Sequence, residues 1–114
     1  MLSKQSRLDR KKIESFFNSQ YKTYKGKILT LKFRKNNSKK NNWAFIVSSS
    51  IKKNAVSRNK VRRRMSNIAE NIQNTTNNGF DFVFITRLNT KIAPSFKILR
   101  DDMIQLLKLC GVLY

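Results

Sequence analysis

Residues Asn54 to Met65 read Asn-Ala-Val-Ser-Arg-Asn-Lys-Val-Arg-Arg-Arg-Met, and their spacing runs on to Ile72. Val61, Met65, Ile68 and Ile72 recur at +4, +3 and +4, the period of a helix with one buried stripe. Asn54 stands just ahead of it, where a side-chain oxygen can accept from an unpaired amide of the first turn, and is the expected N-cap. At about 100° per residue from Val61, Arg62 falls near 100°, Ser66 near 140°, Asn59 near 160°, Glu70 near 180° and Arg63 near 200°. The predicted helix is therefore dry on one side and polar and strongly basic on the other.

The flanking segments change period. Before the helix, Trp43, Phe45 and Val47 alternate with Ala44, Ile46 and Ser48, which reads as a strand. After it, Asn71 to Gly79 is a polar turn, and Phe82 to Arg87 is apolar enough for a strand buried on both sides. Farther out, Lys27 to Arg34 alternates as well, with Leu29, Leu31 and Phe33 on the dry side. Lys35 to Asn42 contains no apolar residue and reads as a mobile hairpin connection to the next strand. Ile13, Phe16, Phe17 and Tyr21 mark a first helix, from Asp9 as N-cap to a point before Gly26. Ile92-Ala93-Pro94-Ser95 introduces a last helix whose inner stripe is Phe96, Leu99, Met103, Leu106, Leu107 and Cys110, with Gly111 as its C-terminal cap. Helices alternating with strands in this order predict an α+β two-layer sandwich with the helices packed on one face of a small sheet. The 114 residues are expected to form one domain, 1–114.

Charge points to the partner. Twenty-five Lys and Arg against six Asp and Glu leave a formal +19, a self-repulsion that a polyanion would relieve. No acid stands between Glu14 and Glu70, so the basic stretch is not a salt-bridged surface of mixed sign. A hydrophobic share of 39%, with eight Phe, excludes a purely disordered basic tail. Phe16, Phe17, Trp43 and Phe45 are candidates for a stacking platform of the kind that single-stranded RNA binders use. With no His and one Cys, the chain lacks the residues for a Ser/His/Asp or Cys/His apparatus, a usual zinc site or an internal disulfide. Cys110, among leucines, is expected to be a buried thiol. Nothing near Met1 resembles a signal peptide and no window is apolar enough for a membrane span, so a cytoplasmic location without membrane contact is expected. The residues alone leave open an RNA-binding subunit, a basic structural ribosomal protein and a DNA-binding regulator.

The stretch Asn54 to Met65 closely resembles the signature of the bacterial ribonuclease P protein subunit: Ala-Val, one residue, Arg-Asn, then an apolar position followed by basic ones. Arg7-Leu8, the aromatic first helix, the strand Asp81-Phe82-Val83-Phe84-Ile85-Thr86-Arg87 and the leucine-rich last helix extend the resemblance over most of the chain. It implies a small, mostly antiparallel sheet of about four strands in the order α-β-β-(β)-α-β-α, with one short strand still to be placed. It also implies an accessory subunit of the endonuclease that removes the 5′ leader from precursor tRNA, one protein per RNA, with catalysis in the RNA and Mg2+ bound mainly there. Arg58, Asn59, Arg62 and Arg63, with Lys52, Lys53 and Lys60, are implied contacts of the catalytic RNA. Ile13, Phe16, Phe17 and Arg87 are implied to line the cleft for the single-stranded leader. No residue is implied to be catalytic. Three positions depart from the family pattern: Ser49 and Ser50 stand where a Lys pair is usual, and Ser66 where Arg is common.

Overall fold

A computed structural model describes residues 6–51, 54–76, 78–89 and 92–112. Among them, helix α1 spans Arg10–Phe17, strand β1 Lys22–Lys25, β2 Thr30–Lys35, β3 Asn42–Ser49, helix α2 Ala55–Ile72, strand β4 Phe80–Leu88 and helix α3 Phe96–Leu109. The fold is α+β, and β1 is the short strand left unplaced by the sequence. It occupies the end of what periodicity assigned to the first helix. Asp9 does cap α1, accepting from the Lys12 amide at 2.9 Å, but the helix ends at Phe17 with Asn18 as its cap. Tyr21 keeps the helical spacing because its ring stacks on that of Phe16, at 5.0 Å between centroids.

The four strands lie in the order β1-β2-β4-β3. β1–β2 and β2–β4 are antiparallel, and β3–β4 is parallel, with Trp43 beside Phe82 and Val47 beside Thr86. A parallel neighbour requires a long crossover, and α2 supplies it. The segment Lys35 to Asn42 is thus not a hairpin connection, because β4 sits between the strands it joins. Nor is it a free loop: Asn36 accepts from the Ser38 amide and donates to the Lys40 carbonyl and to Asp81.

Strand alternation divides the core in two. Leu31, Phe33, Trp43, Val47, Phe82 and Phe84 face α2 and α3, where they meet Val61, Met65, Ile68, Leu99, Met103 and Leu106. Ala44 and Val83 point the other way and pack with Leu8 and Phe16. Helices therefore cover both faces in part: α2 and α3 cover one, and α1 crosses a portion of the other. The expectation of helices on one face alone missed α1, because Phe16 by itself carries most of its burial.

One helix end departs from its expected cap, and the ends of α3 agree with theirs. Asn54 sits at the N-cap position of α2 without a capping side-chain bond, and its amide donates instead to Ser49 Oγ at 2.9 Å. Ser95 caps α3 through the Ile98 amide, and Gly111 closes it at φ 76°, a conformation that favours glycine.

Asp102 ties the two layers together. Its buried carboxylate accepts from three successive backbone amides, Lys27, Ile28 and Leu29, at 2.9, 3.0 and 2.8 Å. That grip delays β2 until Thr30. A Cβ on Gly26 would lie 2.5 Å from the same carboxylate, so only glycine fits there. Asp102→Ala takes the acceptor from three amides, of which that of Leu29 is buried, and should cost about 2 kcal/mol, read as a lower urea midpoint with unchanged slope.

Candidate nucleic-acid interface

The buried stripe of α2 fixes the rotation of the helix, and with it the direction of its cations. Val61 and Met65 are wholly buried and Ile68 nearly so. Asn59, Arg62 and Arg63 then face a cleft of about 340 Å³ at the β3 edge of the sheet. Phe45 of β3, Arg7 of the N-terminal segment and Ile13 of α1 complete its walls. That segment lies along β3, with the Leu8 amide donating to the Trp43 carbonyl at 2.9 Å. Arg62 donates to Asn59 Oδ1, so two of the three polar groups are held as a unit.

Ser66, grouped with the polar face by its angle, is only 5% exposed and lines the same cleft. The N-terminal segment and the strand edge cover that flank of α2, which periodicity alone cannot anticipate. Arg58 is half-buried one turn earlier, and its Nε is buried without a partner. Lys60 is exposed and falls near 260° from Val61, on the flank away from Arg62. Lys52 and Lys53 lie outside the described residues. Arg64 serves the fold, donating from Nη1 to the Pro94 carbonyl at 2.6 Å and tying down the approach to α3.

The second surface is the part of the sheet that α1 leaves open. Its floor is apolar and half-buried, Ile46 and Ile85, and Arg87 stands exposed two residues farther along β4. Lys32 lies over the Tyr21 ring at 4.8 Å, and Arg34 over the Phe16 ring at 5.4 Å while its Nε donates to Asp81 at 3.0 Å. The four residues assigned to one cleft wall are distributed over these surfaces. Ile13 faces the α2 cleft, Arg87 the far end of the open sheet, and Phe17, 36% exposed, packs edge-on against Phe16 and Tyr21. Phe16 has no exposed surface and belongs to the core.

Trp43 likewise leaves the proposed stacking platform: it is 1% exposed and its ring lies 4.6 Å from that of Phe82. Tyr21, Lys32, Ile46 and Ile85 were missed as surface groups. Their signal was the wetter side of each strand, which was read only as the side away from the core. Cys110 is half-buried, its thiol donating to the Leu107 carbonyl at 3.3 Å, and burial pushes its pKa up by penalising the thiolate. Among the described residues no three His, Cys, Asp or Glu stand together as ligands for a metal ion.

A family model for ribonuclease P matches residues 2–111. The chain belongs to the ribonuclease P protein family. The ribonuclease P protein of Thermotoga maritima aligns over 90% of this chain and 96% of its own, with 26% identity and a TM-score of 0.72. That of Staphylococcus aureus aligns over 96% and 98%, with a TM-score of 0.79; at 16% identity it supports the fold alone. Comparison with curated proteins finds no match. The two serines that replace the usual lysine pair have local partners. Ser49 Oγ accepts from the Ile51 and Asn54 groups, and Ser50 Oγ donates to the Leu88 carbonyl, so hydroxyls brace the entry to α2 where lysines are usual. No helix among the described residues is long and apolar enough to cross a membrane.

The two phenylalanines of α1 separate cleanly by stability. Phe16→Ala should cost about 4 kcal/mol, whereas Phe17→Ala, at a surface position, should cost about 1 kcal/mol or less, both by urea unfolding.

Proposed function

We propose that this chain is the protein subunit of ribonuclease P, and that it binds the catalytic RNA and the 5′ leader of precursor tRNA while the RNA removes the leader. One observation carries the reading: the arginines of the family signature, Arg62 and Arg63, converge with Asn59 on a single cleft instead of being scattered over a solvated helix. Guanidinium forks pair two donors with phosphate oxygens, and Asn59 adds a neutral donor and acceptor that holds register. Arg58 extends the positive field of the cleft by one turn of α2, and the charges of Lys60, Lys52 and Lys53 are assigned to the same RNA.

The leader is assigned to the open sheet face. Single strands are recognised by stacking and by cations along the backbone. Phe17 supplies an exposed ring at one side, the half-buried Ile46 and Ile85 an apolar floor, and Arg87 a cation at the far end, while Ile13 serves the arginine cleft. The two RNAs repel each other, and a subunit of charge +19 between them lowers that repulsion. Less magnesium is then needed to bring them together. We assign the magnesium and the cutting chemistry to the RNA, with one protein bound to each.

Adding purified protein to the cognate catalytic RNA at low magnesium should markedly stimulate leader removal; no stimulation would refute the reading. Arg62→Ala with Arg63→Ala should reduce the slope of log K against log salt for the catalytic RNA by about two, if each meets one phosphate. Phe17→Ala should weaken precursor binding by about tenfold, as loss of one stacked base does, and leave mature tRNA binding unchanged. Equal loss for both ligands would remove Phe17 from the leader path.

A further inference from the structure

A cavity larger than the arginine cleft lies at the opposite edge of the sheet. It holds about 800 Å³ against about 340 Å³, between the β1–β2 end of the sheet and the C-terminal turn of α3. Three strand spacings, about 14 Å, separate the two edges. The cavity has an aromatic floor: Tyr24 and Phe33 stack at 5.7 Å, and Phe80 lies 6.2 Å from Phe33. Its rim carries the exposed Lys22 and Lys35, and among the described residues no Asp or Glu lines it.

We propose that this cavity is a further RNA subsite that takes an unpaired nucleotide from the upstream part of the leader. The inference rests on the leader reading above. Volume alone would admit many ligands, but aromatic floor and cationic rim together select a base that carries its phosphate. Continuity selects the leader as the source. Tyr21 and Arg34 line the cavity, and both also flank α1 on the open sheet face, Tyr21 beneath Lys32 and Arg34 beside Phe16. A strand crossing that face past the end of α1 runs directly into the cavity. Without acids on the rim, nothing repels a phosphate on this path.

Cys110, the only cysteine, lines the cavity and reports its occupancy. At fixed pH, precursor with a long leader should slow alkylation of Cys110 several-fold. The same precursor with its leader trimmed to a few nucleotides, and mature tRNA, should leave the rate near that of free protein. Lys22→Ala with Lys35→Ala changes only exposed side chains and should keep the thermal midpoint. It should bind long-leader precursor about tenfold more weakly, with no change for the short leader. If the wild-type protein does not prefer precursor to mature tRNA, the leader reading itself fails. If it does prefer precursor, but the double variant keeps its affinity and Cys110 reacts at one rate throughout, the subsite is overturned. Protection of Cys110 by the catalytic RNA alone, or by an acidic peptide and not by precursor, overturns it as well.

Discussion

Asp81 holds together the part of the sheet on which every other placement depends. Its carboxylate, 3% exposed, accepts from Arg34 Nε of β2, from Asn36 Nδ2 in the following loop and from Asn42 Nδ2 of β3. The chain thus bonds the first turn of β4 to both of its neighbours at once. With β4 fixed between β2 and β3, the connection from β3 must leave the sheet and return in parallel, and α2 is the segment that does so. The helix then packs its dry stripe on the sheet, and its arginines have one direction left. Charged hydrogen bonds to a desolvated carboxylate are stronger than neutral ones, and removing any partner leaves a group unpaired. A geometrical lock of this kind suits a small core in which β1 contributes only four residues.

The same arrangement withdraws two of the few acids of a +19 chain from its surface. Two of its six acids, Asp81 and Asp102, are turned inward and bonded to groups that the fold must satisfy in any case. Asp9 is occupied by the first turn of α1. Glu14, Glu70 and Asp101 stay exposed with Asp9, far outnumbered by cations. The result is a predominantly positive surface, which draws polyanions from a distance but cannot by itself choose among them. Choice falls to shape: one cleft with paired arginine forks at the β3 edge, and an open sheet face with exposed aromatic and apolar groups.

Much of this was legible in the residues. The stripe of α2, the alternation of β3, the buried strand around Phe82 to Phe84 and the stripe of α3 all follow from period, since each element is long enough for repetition to be unambiguous. What escaped was set by tertiary contact. β1 is four residues of mixed character, and a stacked tyrosine behind α1 imitated one more helical turn. β4 inserts between two strands adjacent in sequence, and no local pattern announces an insertion. The parallel β3–β4 pair depends on Asp81 reaching Asn42, a contact across 39 positions. At the interface, the arginines could be assigned from their angle on the helix. Exposure could not: Phe16 and Phe17 are adjacent and chemically identical, yet one is wholly buried and the other open. Only the direction of α1 across the sheet distinguishes them.

That direction also relates the two functional surfaces. α1 runs with Ile13 toward the β3 edge and Phe17 toward β2, so it forms one wall of the arginine cleft and one wall of the open face. A ligand seated in the cleft and a strand lying on the sheet would touch opposite ends of the same eight-residue helix. Phe16 is the pivot, since its buried ring carries the contact of α1 with Ala44 and Val83. Any shift of α1 driven by one ligand must therefore be felt at the other surface, because a packed ring has no slack to absorb it. The two surfaces are thus joined by one short helix resting on one aromatic side chain, with a cationic cleft at one end and an exposed aromatic ring at the other.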